Sequence, residues 1–169
     1  MRFIFCPDCG ARLTQRDLGD DPDIPWCERC SKPWFPVFPT CIIALVHDGR
    51  GNVLLLHQDY ISTTYANLVS GYMQPGETAE LTAIREIKEE TGLTVNDLHL
   101  TGTYWFGKKQ ILMIGFIAQV QSPEGLSLSQ EVDSAGWHRA QEAVGLVHPE
   151  GSVSHTLCSL FLRMCHSAS

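Results

Sequence analysis

Hydrophobic positions along the chain come in two rhythms. Two runs rich in Ile, Leu and Val, residues 41–47 and 53–58, flank the turn-forming Asp48-Gly49-Arg50-Gly51 and predict a β-hairpin. Residues 65–70 read as a short strand, 98–106 and 111–120 as longer strands around Gly107, and 134–138 as a last short one. A helical rhythm governs two other stretches. Residues 78–91 predict a helix closed by Gly92. Val153, Leu157, Leu160, Phe161 and Met164 repeat behind Ser152, a suitable N-cap, so 152–166 predicts an amphipathic helix. Strands and helices that do not alternate strictly predict an α/β domain with a mixed sheet and helices packed on its faces. The longest apolar stretch, 111–120, is far shorter than the roughly 20 residues that cross a bilayer, so no membrane span is expected.

Residues 1–32 follow neither rhythm. They carry Cys6-x2-Cys9 and Cys27-x2-Cys30, two tight knuckles that each present two sulfurs, and the spacing predicts one tetrahedral zinc site in a small ribbon. With thiolate at all four positions the ion would be structural, folding a segment too small for its own core. Four unrelated cysteines or a redox pair is the plainer alternative. Gly10 follows the first knuckle, and Ser31 stands at the equivalent place in the second, where glycine turns more easily. Pro33, Pro36 and Pro39 make 33–40 a stiff linker, which leaves 41–169 as the main domain. Cys41, Cys158 and Cys165 lie on apolar faces and read as core thiols. Cysteines spaced for metal, and a start with no signal-type apolar region before Cys6, point to a cytosolic protein.

Charge narrows the choice of partner. The 169 residues include 12 basic and 19 acidic side chains, a formal net charge of -7, which disfavours a long footprint on a phosphate backbone. The ribbon adds no basic patch, because Arg2, Arg12, Arg16, Arg29 and Lys32 are matched against Asp8, Asp17, Asp20, Asp21, Asp23 and Glu28. A packing or homodimerisation role suits it better than nucleic-acid binding. An anionic small substrate would need its charge met locally, and a divalent cation would do so.

The candidate chemistry lies in residues 71–93. On a helical wheel at about 100° per residue, Glu86, Glu89 and Glu90 share one face, while Leu81, Ile84 and Ile87 fall opposite and are expected to pack. Lys88 lies away from the cluster, and a merely solvated face would more often interleave lysines. Clustered carboxylates are what hard divalent cations bind, and Mg²⁺ commonly bridges them to substrate phosphates. The chemistry indicated is metal-assisted attack of water on phosphorus. Gly71 and Gly76 let the loop before the helix turn tightly, and Arg85 is placed to hold Glu77 through its planar fork.

Gly71-x5-Glu77-x7-Arg85-Glu86-Ile87-x-Glu89-Glu90-x-Gly92-Leu93 resembles the Nudix box with every signature position filled. The resemblance implies an α/β/α sandwich and a pyrophosphohydrolase that uses Mg²⁺ or Mn²⁺ to cleave a nucleoside diphosphate linked to another moiety. It implies Glu86, Glu89 and Glu90 as metal ligands, one of them a candidate base, Glu77 and Arg85 as a supporting ion pair, and the Gly71 carbonyl as a further ligand. A four-cysteine ribbon ahead of such a domain is similar to the NADH pyrophosphatase group. That group is also matched at Glu131-x3-Ala135-x-Trp137, which implies Glu131 as another metal ligand, and at Gly151-Ser152-Val153. Two departures stand beside these matches. The chain is expected to lack the large N-terminal domain of the longer members, and residues 101–113 do not reproduce the Ser-Gln-Pro-Trp-Pro-Phe-Pro array that marks NADH specificity.

Substrate contacts are less marked. Trp105 and Phe106 are suited either to stacking on a base or to a core, and Lys108 and Lys109 form a hairpin tip, solvated or in reach of a phosphate. Tyr65, ahead of the glycine loop, is a candidate pocket residue. The seven histidines show no ligand spacing. The leading expectation is hydrolysis of a nucleotide pyrophosphate, NAD(H) or ADP-ribose first, to two monophosphates. Its partner is a small molecule, with neither nucleic acid nor membrane involved. The alternatives are removal of a nucleotide cap from RNA and a Nudix-like module that senses a nucleotide without cleaving it.

Overall fold

The computed structural model describes residues 3–167, so Arg2, counted in the ribbon's charge, lies outside the described residues. The chain forms two compact units, Met1–Pro39 and Thr40–Ser169. The first is a three-stranded antiparallel sheet of β1 (Thr14–Leu18), β2 (Asp21–Cys27) and β3 (Lys32–Pro33). β3 pairs Trp26↔Pro33 and Cys27↔Lys32, and the Trp34 N–H donates to the Pro25 carbonyl at 2.8 Å. The first residues of the expected linker are therefore hydrogen-bonded into the ribbon. After the two knuckles Gly10 takes φ 72° and Ser31 φ 53°, so the second turn adopts the left-handed conformation without glycine.

The second unit runs β4 (Thr40–His47), β5 (Asn52–Gln58), β6 (Ser62–Asn67), β7 (Val69–Tyr72), α1 (Ala79–Thr91), β8 (Val95–Phe106), β9 (Ile111–Val120), β10 (Ser134–Arg139), α2 (Ala140–Leu146) and α3 (Val153–Ser167). Its seven-stranded sheet has the order β10-β5-β4-β9-β8, with β6 on β5 and β7 on β4. β4 lies parallel to β9 from Thr40↔Leu112 to His47↔Gln119, and the neighbouring pairs are antiparallel. Alternation along the strands divides the core in two. Ile42, Ala44, Leu56 and Phe116 pack with Ala83 and Ile87 of α1, and Ile43, Leu45, Leu55 and Ile117 pack with Ala143, Leu157 and Phe161 of α2 and α3. The result is the expected α/β/α sandwich.

The expected hairpin closes only at its turn end. β4 and β5 pair at Val46↔Leu54 and His47↔Val53, after which β7 takes over β4 and β6 takes over β5. Residues 65–70 are consequently not one strand: Leu68 separates β6 from β7, which serve different neighbours. α2 escaped the sequence reading because its seven residues include Gly145 and its N-cap, Arg139, makes no side-chain capping bond. No helix among the described residues is long and apolar enough to cross a membrane.

α1 starts where Thr78 Oγ1 accepts the Leu81 N–H at 3.3 Å and ends at Gly92, left-handed at φ 74°. α3 starts where Ser152 Oγ accepts the His155 N–H at 3.1 Å, and Met164, expected on its packed face, is exposed. The α1 wheel also needs correcting. Leu81 and Ile84 are exposed at 56% and 43%, and the buried residues are Thr82, Ala83, Ile87, Glu90 and Thr91. The small Ala83 lets the helix approach the sheet, and the buried arc takes in the glutamate side instead of opposing it. Ile87→Ala should cost about 2–4 kcal/mol of stability in urea unfolding, and Leu81→Ala less than about 0.5. Equal losses would show that Leu81 is packed after all.

Candidate active site

The Glu86 carboxylate of α1 fills the space over Gly71 of β7 where any other residue would place its Cβ. A Cβ there would collide with the Glu86 carboxyl carbon and with both of its oxygens. Gly71 is paired with Ile42 of β4, which fixes the strand that receives the carboxylate. Arg85 ties the surroundings together. Its Nε and Nη2 donate to the two Glu77 oxygens at 2.7 and 2.9 Å, the fork expected from the sequence. Nη1 also donates to Glu86 Oε1 at 2.8 Å and Glu89 Oε2 at 3.0 Å, and Nη2 to the Tyr72 carbonyl at 3.2 Å. Glu77 accepts further bonds from the Gln74 N–H at 3.1 Å and Thr82 Oγ1 at 2.8 Å, so residues 71–77 are pinned to the helix. The Arg85 guanidinium, with these bonds, holds the Glu77 carboxyl down to about 2.

The three glutamates of the wheel occupy three environments. Glu89 is exposed and Glu86 mostly buried, with burial raising the Glu86 pKa against the pull of Arg85. Glu90 is 4% exposed, and its Oε2 has no hydrogen-bond partner among the described residues. Burial, then the charges of Glu86 and Glu131, push its pKa up to about 8, while the Gln58 amide opposes the rise.

Gln58 and Asn67 were not legible as site residues. Both are buried, and Gln58 Oε1 and Asn67 Nδ2 are unpaired like Glu90 Oε2. Leu56 pairs with Asn67, and alternation brings Gln58 onto the same α1-facing side of the sheet as Leu56. Their sequence signal is slight: Asn67 interrupts an apolar run and Gln58 lies at the end of one. Gln58 Nε2 donates to the Tyr60 hydroxyl at 3.3 Å. Alongside, a cleft of about 430 Å³ is lined by Asp59, Tyr60, Gln130, Glu131 and Asp133. The Asp133 carboxylate accepts the Asp59 N–H at 2.8 Å, joining the end of β5 to the segment bearing Glu131. Glu131 is exposed, and its charge acts on both Glu86 and Glu90.

The other expected contacts stand apart. The register Gly71↔Ile42↔Ile114↔Thr103 places three strand spacings, about 14 Å, between Gly71 and β8. Trp105 is exposed near the end of β8, Phe106 is partly buried, and Lys108 sits on the exposed turn beyond. Tyr65 packs tilted against His148, with ring centroids 4.9 Å apart.

In the first unit the Cys6, Cys9, Cys27 and Cys30 sulfurs all lie within 4.8 Å of one another. Cys6 and Cys30 are 3.9 Å apart and Cys9 and Cys27 3.6 Å. Tetrahedral zinc with Zn–S bonds of about 2.3 Å has S···S edges of about 3.8 Å, so the donor set and its spacing fit that ion.

A mixed sheet between helices, with a carboxylate-bearing helix laid on a glycine strand, places the protein in the class of Nudix folds. A NUDIX hydrolase crystal structure from Nitrosomonas europaea superposes with a TM-score of 0.75 over 98% of this chain and 93% of that one, at 19% identity. The structure of a C. elegans Ap4A hydrolase binary complex gives 0.62 over 75% of this chain and 98% of its own, at 20% identity. The chain belongs to the NUDIX domain family, whose domain is matched over residues 37–156. It is similar to the NAD-capped RNA hydrolase NudC of Haemophilus influenzae (strain PittEE), 28% identical over 164 residues, 95% of this chain and 61% of the relative. The Pasteurella multocida (strain Pm70) protein of the same name is 29% identical over 163 residues, 95% of this chain and 60% of its own length. This chain thus spans less than two thirds of those relatives.

Proposed function

We propose that the protein is a divalent-metal-dependent pyrophosphohydrolase that splits a nucleoside diphosphate joined to another moiety, NAD(H) or ADP-ribose first, into two monophosphates. The observation that carries this reading is the buried Glu90 carboxylate with an unpaired oxygen, set beside Glu86 on the Gly71 strand. This is an all-oxygen donor set suited to Mg²⁺ or Mn²⁺. Glu86, Glu89, Glu90 and the Gly71 carbonyl would hold the ion, with Glu131 from the cleft. When bound, the cation supplies positive charge against the pyrophosphate oxygens and the departing phosphate. The chain's own residues do the rest. Arg85 and Glu77 keep the loop in register with α1, Gly71 gives the carboxylate its close approach, and one of the three glutamates accepts the proton of the attacking water. A screen of NADH, NAD⁺ and ADP-ribose with Mg²⁺ and Mn²⁺, read as released monophosphates, tests the reading; no release from any of them refutes it.

A second reading, removal of an NAD-type cap from RNA, is supported by the names of the similar proteins. The net charge of -7 supports the free dinucleotide instead. Comparing kcat/KM on NAD⁺ and on NAD-capped RNA separates the two.

The four cysteines are assigned to one structural zinc in a ribbon, followed by the linker and the hydrolase domain of residues 41–169. Reduced thiols of this kind suit a cytosolic setting. Metal analysis should find about one zinc per chain, and Cys27→Ser should lower the melting temperature more than it alters turnover. Cysteines paired as disulfides would overturn the assignment. Exposed Ile4, Phe5 and Phe35 support a homodimer formed through this unit, read from the mass in solution.

A further inference from the structure

We infer that Tyr60 is the stacking platform for the non-adenine ring of the substrate, a planar ring bearing positive charge such as the pyridinium of an oxidised nicotinamide. The inference rests on the pyrophosphohydrolase reading above and names which part of the substrate one side of the site receives. Tyr60 is 69% exposed, more than any other large apolar side chain among the described residues. A single exposed ring would mean little, but this one is held and placed. Its hydroxyl accepts from Nε2 of Gln58, itself 1% exposed, so the phenol is tethered to the buried end of β5 while its faces stay open. The ring stands at the lip of the cleft that contains Glu131. Besides its partial burial, the phenol feels the charges of Glu131, Glu90 and Glu86, the carboxylates that would hold the cation facing the pyrophosphate. A dinucleotide carries a ring one ribose away from its pyrophosphate on each side.

Charge decides which ring. Asp59, Glu131 and Asp133 line the cleft with Tyr60 and Gln130, and neither lysine nor arginine does. Neutral adenine gains nothing from that lining. A cationic ring gains attraction to the carboxylates and to the electron-rich face of the phenol.

NAD⁺ and ADP-ribose differ by the nicotinamide alone, so steady-state kinetics on the pair, with wild type, Tyr60→Phe and Tyr60→Ala, tests the assignment. Tyr60→Ala should raise KM for NAD⁺ about tenfold with kcat within about twofold, and leave KM for ADP-ribose within about twofold. Tyr60→Phe keeps the ring but loses the tether to Gln58, so its KM for NAD⁺ should rise by less than that of Tyr60→Ala, with KM for ADP-ribose within about twofold of wild type. Unchanged KM for NAD⁺ in Tyr60→Ala, an equal rise on both substrates, or a Tyr60→Phe loss as large as that of Tyr60→Ala would each overturn the inference. Failure of the underlying reading looks different: wild type would then cleave neither compound, and the inference would fall with it.

Discussion

Glu90→Gln should lower kcat by about 10³-fold while raising the melting temperature of the protein in buffer without Mg²⁺ or Mn²⁺. Both effects come from one buried carboxylate. The oxygen left unpaired at 4% exposure is the group that most needs a cation, so neutralising it removes a ligand without disturbing the packed face of α1. Stability moves the other way because the folded state holds the Glu90 proton up to about pH 8, whereas the unfolded chain releases it near pH 4.3. The contribution of the protonated acid is fully present below the unfolded pKa and is lost as pH rises through the folded one. The variant has no such loss, so its advantage should be absent near pH 4 and grow toward pH 8. Thermal melting across that range, with turnover measured at saturating Mg²⁺, checks both arms. Near wild-type turnover, or a lower melting temperature at pH 8, would show that Glu90 is not the buried ligand described.

Gly71→Ala should be almost as damaging, through a methyl group that carries no charge at all. The new carbon would collide with the Glu86 carboxylate, which forces that side chain away or pushes β7 from α1. Turnover should fall by about 10²-fold or more, with the Mg²⁺ activation curve displaced to higher concentration. Gly76→Ala is the control: at φ 91° it strains the backbone, but its added carbon would meet nothing within 4 Å. It should lose stability and keep its metal dependence. A Gly71→Ala protein with wild-type metal activation would mean that close approach to the strand does not position Glu86.

The contrast between these glycines also marks how far the sequence could be read. Strand runs, the Thr78 and Gly92 ends of α1, the four-cysteine spacing and the Arg85–Glu77 fork were legible because each depends on residues near one another in the chain. The burial of Glu90 was not. A helical wheel assigns carboxylates to water, and only the approach of β7 and β4 shows that the carboxylate side of α1 is partly the packed side. Gln58, Asn67 and Tyr60 were missed for the same reason: their importance comes from the parting of β4 and β5, a tertiary event with no local signature. The division of 65–70 at Leu68 follows from that parting too.

The parallel pairing of β4 with β9 joins segments about 70 residues apart, and it bears on when the proposed site is completed. Closing so long a loop costs entropy before any contact rewards it, so this pairing forms late. β4 is the strand on which β7, and with it Gly71, is mounted. A ribosome therefore completes α1 and the β4–β7 pair that carries Gly71 before it makes β9, which holds β4 from its other edge. A nascent chain halted short of Ile111 would carry Glu77, Arg85, Glu86, Glu89 and Glu90 with the β4–β7 pair beneath them but without the strand on the other edge of β4, so the proposed activity is expected only once β9 has been made.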